Sequence, residues 1–283
     1  MISGENAFIR PVSVLMLAKN KAKYLRTGAF SVVEGGQAEL VLIEPGSHDN
    51  SRNVCEQIAN EFPNLVKLVT SEDSSPADGL NNGLAKANGS IVGVLNADDI
   101  YLPGALNQVI DYFDRNPNIE VLLAGGFLIN EISGNWKFVL PSKISRFSIG
   151  LSGHGSLTFF HQGMFYRKER FPNIEFNPHN KINWDKEFLI RLFQANAKIG
   201  YLKLPLAIFR INNDSLTYQG FSAQSIKENA QNFESMLGFR ISFPTAQVLG
   251  QLLRVFKALR LVAHTTAIHS KKYIMTTKKS SDE

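Results

Sequence analysis

This chain of 283 residues is poor in cysteine, because Cys55 is its one cysteine. A single thiol excludes an intrachain disulfide and a zinc site built from cysteines. The stretch from Met1 to Arg10 has no apolar core of the kind that a signal peptide requires. No apolar run reaches the roughly 20 residues of a transmembrane helix. We therefore expect a cytoplasmic protein, either free or resting peripherally on the inner face of the membrane.

The chain also lacks an excess of basic residues outside its C-terminal part. Residues 251–283 contain seven basic and two acidic side chains, which accounts for the whole formal net charge of +5. The near-neutral remainder argues against a general nucleic-acid-binding protein, which would carry a basic face. Within residues 251–263, helical spacing places Arg254, Lys257 and Arg260 on one side and apolar residues on the other. Such a helix could bind an anionic membrane surface, or could pack on the core with its basic side in water.

Apolar, strand-like runs alternate with helical patterns through the first half of the sequence. Each run is followed by turn or capping residues and then by a helix, an order that predicts a parallel sheet with helices on both faces. The expected fold class is therefore α/β with a mostly parallel central sheet. The predicted strands are 12–17, 40–43, 65–69 and 91–95, and the predicted helices are 21–33, about 50–60, 76–87 and about 103–115.

The second half of the sequence alternates less regularly. Residues 121–127 and 136–140 flank Ser133-Gly134-Asn135, a turn signal that predicts a hairpin. The polar, glycine-rich stretch 142–155 predicts a loop. Further along, the patterns predict a strand at 158–167, a helix at 185–195 and a strand at 198–204.

Two adjacent carboxylates follow the fourth predicted strand. The segment Asn96-Ala97-Asp98-Asp99 comes directly after the apolar run from Ile91 to Leu95, at the strand end where open α/β sheets bind ligands. Adjacent carboxylates suit a hard divalent cation held against phosphate oxygens. The same residue types are common in solvated turns, so the tetrapeptide alone leaves both interpretations open.

A colinear series of motifs resembles family 2 glycosyltransferases of the GT-A fold over roughly residues 11–220. The series begins with the acidic loop and helix from Ser71 to Ala85, and continues with a strand that ends in Asn96 to Asp99, like the D-x-D element of the family. Further matches in the same order are His161 to Arg167, Trp184 to Leu192, Ile208 to Arg210 and Ser215 to Thr217. The order of the whole series is more specific than any single motif.

This resemblance implies an inverting transfer of a sugar from a nucleotide-diphosphate sugar to a hydroxyl of a glycan or lipid-linked acceptor, in polysaccharide biosynthesis at the cell envelope. Mg²⁺ or Mn²⁺ bridging the diphosphate would neutralise the leaving group. Asp98 matches the last Asp of the D-x-D element and is expected to hold the metal. Asp99 either ligates the metal or orients the loop. Asn96 replaces the first Asp, and its amide can accept hydrogen bonds or bind through water.

Asp185 matches the catalytic base of the family and would take the acceptor's proton. An acidic residue at a helix start is also favoured by the helix dipole alone, so a purely structural role stays open. Trp184 could stack on a sugar ring or pack in the core. His161 and Gln162 could reach acceptor hydroxyls, although a histidine in an apolar strand is commonly a core residue.

The nucleotide sugar is expected on the loops that follow the first strands, where the sequence departs from the family. This chain has Leu17-Ala18-Lys19-Asn20 where the family usually has P-T-Y-N, and Glu44-Pro45-Gly46-Ser47 where the family usually has D-D-G-S. Glu44 keeps an acceptor for a base N–H, but these residues also suit an ordinary turn. Asp78 would bind near the base or sugar, or would cap its helix. The expected nucleotide-sugar-binding residues are Leu17, Ala18, Lys19, Glu44, Asp78, Asn81, Asn96, Ala97 and Asp98.

We expect residues 1–220 to form the GT-A domain and residues 221–283 to form a C-terminal helical, basic extension. The expected partners are a nucleotide-sugar donor and a glycan or lipid-linked acceptor, with no nucleic acid. A different class of function is a non-catalytic GT-A-like module that binds glycan or protein. A sugar nucleotidyltransferase would need a glycine-rich phosphate loop after the first strand, and the segment from Ala18 to Lys21 contains no glycine.

Overall fold

A computed structural model describes residues 10–150, 159–180, 183–213 and 215, together with isolated positions 235–236, 248–249, 251–252 and 255. The chain divides into two compact units, Met1–Ile144 with Phe159–Phe221 and Ser145–Thr158 with Ser222–Glu283. The predicted domain boundary at residue 220 and most of the predicted basic helix lie outside the described residues. No helix in the described part is long and apolar enough to cross a membrane.

The strands and helices follow the predicted alternation. The strands are β1 (Val12–Leu17), β2 (Ala38–Glu44), β3 (Val66–Thr70), β4 (Ile91–Asn96), β5 (Ile100–Tyr101), β6 (Val121–Asn130), β7 (Trp136–Val139), β8 (Met164–Arg167) and β9 (Ile199–Ile211). The helices are α1 (Ala22–Val33), α2 (Ser51–Glu61), α3 (Pro76–Lys86), α4 (Ala105–Arg115), α5 (Arg146–Gly150) and α6 (Trp184–Gln194). All strands lie in the first unit, and α5 lies in the second.

The strands form one sheet in the order β3-β2-β1-β4-β8-β6-β9-β5, with β7 paired to β6. The first four strands of this order are parallel, β8 pairs antiparallel to both β4 and β6, and β6 runs parallel to β9. This α/β architecture confirms the predicted fold class. Because β1, β2 and β4 are parallel neighbours, the loops that leave their carboxyl ends meet at one edge of the sheet.

Helices cover both faces of this sheet. On one face, alternate residues of β1 (Val12, Val14 and Met16) share a buried core with apolar residues of α1, α2 and α4. On the other face, α3 packs so closely that a Cβ on Gly83 would lie 2.5 Å from Ile43 Cδ1. Glycine at this position therefore allows the close approach that brings the start of α3 to the carboxyl edge of the sheet.

The structure corrects the predicted strand at 158–167. Among the described residues 159–167, only Met164–Arg167 is strand, and His161–Gly163 forms a 3₁₀ turn immediately before it. The physical reason is that Gln162 pairs inward with the buried side chain of Asp99, and a buried polar group needs such a partner. The last strand also extends well beyond the predicted 198–204, since β9 pairs with both β6 and β5.

A buried polar network ties the amino ends of the parallel strands together. Ser13 Oγ donates to Glu39 Oε2 at 2.7 Å, and the backbone N–H of Asn88 donates to the same oxygen at 2.9 Å. Lys67 Nζ lies 2.5 Å from Glu39 Oε1. Burial by itself raises the pKa of Glu39, but the hydrogen bonds from Lys67, Ser13 and Asn88 outweigh burial and lower that pKa below 4.5.

We expect Glu39→Gln to lower the free energy of unfolding by about 1–3 kcal/mol at pH 7, because charged hydrogen bonds in this network are lost. A carboxyl whose pKa is lowered by folding stabilises the protein above its unfolded pKa, and this contribution disappears as the pH falls through the folded pKa. Urea unfolding at pH 7 and at progressively lower pH should show the gap between wild type and variant closing below about pH 4.5. A gap that is independent of pH would contradict this assignment.

Candidate active site

Asp98 lies at the carboxyl edge of the sheet, just after β4, and makes two contacts that the sequence did not predict. Lys21 Nζ lies 2.8 Å from Asp98 Oδ2, and Asn212 Nδ2 donates to the same oxygen at 3.3 Å. The Asp98 residue is 5% exposed. The sequence could have indicated Lys21, because this residue lies between β1 and α1 in a loop expected at the site. Nothing in the sequence indicated Asn212, which follows β9.

Asp99 points away from that position into the protein interior. Its residue is fully buried, Gln162 Nε2 donates to Oδ2 at 2.6 Å, and the backbone N–H of Arg210 donates to Oδ1 at 2.9 Å. Burial, together with the neighbouring Asp98 carboxylate, holds the pKa of Asp99 well above its usual range. The geometry thus favours the loop-orienting role for Asp99 over the metal-ligand role.

Gln162 also differs from its sequence-based expectation as an acceptor-binding residue. Its residue is 1% exposed, and its amide nitrogen is occupied by Asp99. Because a side chain enclosed in this way is not presented to an acceptor hydroxyl, the expected acceptor contact does not fit the structure. Gln162 instead holds the acidic loop in place through its hydrogen bond to Asp99.

His161, Asn96, Trp184 and Asp185 form one cluster, although they come from three separate parts of the chain. His161 Nδ1 lies 3.7 Å from Asp185 Oδ2, and His161 Nε2 lies 3.2 Å from Asn96 Nδ2. The Trp184 ring meets the His161 ring edge to face, with 5.7 Å between centroids. Burial lowers the pKa of His161, against opposing effects of the Asp185 and Asp98 charges, and therefore favours the neutral imidazole.

Asp185 lies in the first turn of α6, where its Oδ1 accepts a hydrogen bond from the Lys186 N–H at 2.8 Å. Its side chain keeps 20% exposure, so the carboxylate is positioned by its neighbours but remains accessible. Trp184 is 8% exposed and also packs on Phe176 at 5.6 Å between ring centroids. These contacts favour core packing for Trp184 over stacking on a sugar.

The loops after β1 and β2 are tied to each other. Glu44 is buried, and its carboxylate accepts from the N–H groups of Gly46 at 3.3 Å and Ser47 at 2.6 Å. Gly46 has a φ of 81°, which favours glycine in this turn. Ser47 Oγ in turn accepts from the Asn20 N–H at 3.0 Å. Glu44 therefore closes its own turn, and its carboxylate does not point outward as a free acceptor for a nucleotide base.

Four further residues predicted to contact the nucleotide lie in or beside this edge of the sheet. Ala18 and Ala97 are both buried, so that any contact with a ligand would involve their backbone. Lys19 is exposed, and Leu17, the last residue of β1, is half-buried. These positions are compatible with a nucleotide-binding edge, and their roles stay predictions.

Asp78 and Asn81 on α3 have structural partners. Ser75 Oγ accepts from the Asp78 N–H at 3.2 Å, and the Asp78 carboxylate accepts from the hydroxyls of Ser74 and Ser75. The Ser74 hydroxyl contributes most to lowering the pKa of Asp78. Asn81 bridges to the backbone of Phe176, with both hydrogen bonds at 2.9 Å. Ser75 is thus the N-cap of α3 and Asp78 supports that cap from the first turn, while the amide of Asn81 is occupied within the protein. Nucleotide contacts of Asp78 and Asn81 stay predictions.

The described side chains suit a metal ion that is shared with a ligand. Among the described residues, no group of three or more His, Cys, Asp or Glu side chains gathers into a complete metal site. Mg²⁺ commonly binds through one or two carboxylates, with substrate phosphates and water completing its coordination. Both described hydrogen-bonding contacts of Asp98 are made by Oδ2. A single carboxylate whose described protein contacts are all made by one oxygen in this way fits an ion held between the protein and a diphosphate.

The fold and this edge cluster define a GT-A-type α/β protein with an acidic motif at the carboxyl end of a central parallel strand. Comparison with known families identifies the particular one. The chain belongs to glycosyl transferase family 2, whose model matches residues 13–172, more than half of the chain.

Curated relatives come from several bacteria. The minor teichoic acid biosynthesis protein GgaA of Bacillus subtilis is 28% identical over 202 residues, which cover 66% of this chain and 44% of GgaA. An uncharacterised glycosyltransferase of Nostoc sp. is 30% identical over 77% of this chain and 70% of its own length. The Escherichia coli UDP-Glc:alpha-D-GlcNAc-diphosphoundecaprenol beta-1,3-glucosyltransferase WfgD is 30% identical over 47% of this chain and 53% of WfgD. The match to this chain thus spans less than half the length of GgaA, and 26% of the related GgaB.

Solved structures share the fold at low sequence identity. S. aureus TarS 1-349 in complex with UDP-GlcNAc superposes with a TM-score of 0.63 at 15% identity, over 86% of this chain and 70% of that one. Glucosyl-3-phosphoglycerate synthase from Mycobacterium tuberculosis, in complex with Mn²⁺, UDP and phosphoglyceric acid, gives 0.57 at 16% identity, over 82% of this chain and 80% of that one. At these identities the likeness supports the fold alone.

Proposed function

We propose that this protein is an inverting glycosyltransferase that moves a sugar from a nucleotide-diphosphate sugar to a hydroxyl of a glycan or lipid-linked acceptor. The observation that carries the proposal is the placement of Asp98 and Asp185. Asp98 lies just after the central strand β4, and Asn96 at the end of that strand contacts His161, which faces Asp185. A diphosphate-holding carboxylate and a candidate base therefore border one site.

The proposed chemistry is a single displacement. Asp185 accepts the proton of the acceptor hydroxyl as that oxygen attacks the anomeric carbon. The bond from that carbon to the diphosphate oxygen breaks, and the nucleoside diphosphate leaves with the electron pair. One displacement at one carbon inverts its configuration. Asp98 would hold Mg²⁺ or Mn²⁺, which when bound neutralises the developing charge on the diphosphate.

The named relatives support the substrate classes proposed here. GgaA is named for teichoic acid biosynthesis, and WfgD is named for transfer from UDP-glucose to a diphosphoundecaprenol-linked sugar. We therefore propose a role in cell-envelope polysaccharide biosynthesis, with a UDP-sugar as the donor. Membrane contact through the predicted basic helix of residues 251–263 stays a prediction, as does the division at residue 220.

We expect UDP with Mn²⁺ to stabilise the protein against thermal unfolding more than GDP, dTDP or CDP does. A ligand that binds only the folded state, at about 100 times its dissociation constant, adds roughly 2.7 kcal/mol. Each nucleotide should be measured with Mn²⁺ and with EDTA, and each metal condition should also be measured without nucleotide. EDTA should remove most of the nucleotide shift, because the diphosphate then lacks its counter-ion.

The pattern across the four nucleotides separates the candidate functions. A metal-dependent shift with a different nucleotide would support the transferase proposal but would replace UDP as the nucleotide of the proposed donor. Absence of a shift with every nucleotide at millimolar concentration would overturn the transferase proposal and favour a non-catalytic glycan- or protein-binding module.

A further inference from the structure

His161 occupies a position in which its two ring nitrogens face different groups. Nδ1 faces Asp185 Oδ2 at 3.7 Å, and Nε2 faces Asn96 Nδ2 at 3.2 Å. The ring is held edge-on by Trp184 and Phe209, with centroid distances of 5.7 and 6.3 Å. Because these aromatic neighbours restrict ring rotation, each nitrogen keeps its own partner.

The chemistry of the two partners determines where the ring carries its proton. An ionised Asp185 carboxylate can only accept, so the facing Nδ1 must carry hydrogen to be attracted to it. A neutral imidazole then has a bare Nε2 that can only accept, and the Asn96 amide N–H₂ is the matching donor. A carboxylate at position 96 would offer Nε2 no donor. It would instead favour hydrogen on Nε2, either in the other tautomer or in a charged ring.

From this arrangement we infer that Asn96 and His161 form a relay that orients the Asp185 carboxylate for proton transfer. The inference rests on the proposed role of Asp185 as the base. In it, His161 is a positioning residue that acts through Asp185, and Asn96 acts through His161. Asn96 is the residue at which the acidic motif departs from D-x-D, so the relay gives that departure a physical role.

The distance to Asp185 is consistent with a positioning role in the free protein. At 3.7 Å, Nδ1 and Oδ2 are beyond direct hydrogen-bond range. Catalytic hydrogen bonds are often long in a free enzyme and tighten when substrate binds. Nδ1 nevertheless faces Asp185 Oδ2, so a hydrogen on Nδ1 attracts the carboxylate and favours its present orientation.

The tautomer can be measured without any substrate. In the ¹⁵N-labelled chain of 283 residues, two-bond ¹H–¹⁵N spectra distinguish the protonated from the bare nitrogen of each imidazole. The chain has six histidines, and the signals lost in His161→Gln identify the ring. We expect hydrogen on Nδ1 and a bare Nε2 in wild type, and a protonated Nε2 in Asn96→Asp. A protonated Nε2 in wild type, or an unchanged pattern in Asn96→Asp, would overturn the relay.

Two substitutions of His161 provide the matched kinetic test. The amide nitrogen of asparagine reaches the position of Nδ1, whereas that of glutamine reaches the position of Nε2. We expect His161→Asn to keep kcat within about 10-fold of wild type, and His161→Gln to lower kcat by roughly 100-fold with the donor KM little changed. Thermal unfolding midpoints of both variants establish that they fold.

The combined outcomes separate the relay from the proposed function. Equal losses of kcat in His161→Asn and His161→Gln would contradict positioning through Nδ1. If wild type itself transfers no sugar from any of the tested donors, the proposed function fails. The tautomer measurement still reports on the Asn96–His161 contact, but the relay then has no base to position.

Discussion

Replacing Asp185 with asparagine will lower kcat for sugar transfer by about 10²–10⁴-fold, because general-base assistance contributes on this scale. Asparagine has nearly the same shape and can still accept from the Lys186 N–H, as Asp185 Oδ1 does at 2.8 Å. It cannot take the acceptor's proton. Initial rates with saturating donor and acceptor, measured by release of the nucleoside diphosphate, test this expectation.

The variant should otherwise behave like wild type. Its unfolding midpoint and its metal-dependent shift with nucleotide should be retained, because Asp185 is proposed to act on the acceptor side. Asp111→Asn is a suitable control, since Asp111 lies on α4 in an exposed pair with Arg115. A loss of less than about 10-fold in Asp185→Asn would leave the helix-dipole interpretation of this carboxylate as the better one.

Replacing Asp98 with asparagine will abolish most of the Mn²⁺-dependent stabilisation by UDP. The substitution removes the negative charge that is proposed to hold the metal, and a metal bridging the diphosphate contributes several kcal/mol to transition-state stabilisation. We therefore expect kcat/KM to fall by at least about 10²-fold. Thermal unfolding with UDP, in Mn²⁺ and in EDTA, and steady-state kinetics measure the two effects.

The adjacent carboxylate offers a sharp comparison. Asp99→Asn should keep the metal-dependent shift, because Asp99 is fully buried and pairs with Gln162 and the Arg210 backbone. If Asp99→Asn loses the shift and Asp98→Asn keeps it, the two roles are reversed. Unfolding midpoints without ligand are needed for both variants, since Asp98→Asn also leaves the Lys21 ammonium without its carboxylate partner.

Local patterns in the sequence were sufficient to predict most of the elements. Apolar runs and capping signals predicted β1 to β4 and the helices between them, because the alternation of these signals is a local property. The carboxyl-end position of Asp98 also followed from the strand that precedes it. The predicted β6–β7 hairpin formed as expected around Ser133 to Asn135.

Other features depended on contacts between distant residues. Gln162 reaches Asp99 across 63 positions of sequence, and the Arg210 N–H reaches it across 111. Asn81 meets Phe176 across 95 positions. No periodicity or spacing encodes such pairs, and so the sequence could not distinguish a residue that anchors a loop from one that faces a ligand.

The sequence by itself therefore determined the α/β alternation, the resemblance to family 2 glycosyltransferases, and the candidate pair Asp98 and Asp185. Only the tertiary structure decided that Asp99 and Gln162 turn inward and that Glu44 closes its own turn. It also decided that Asn96 and Asp185 face the two different ring nitrogens of His161. The physical reason is that a buried polar group must find a partner, and the folded arrangement of distant segments decides which partner is within reach.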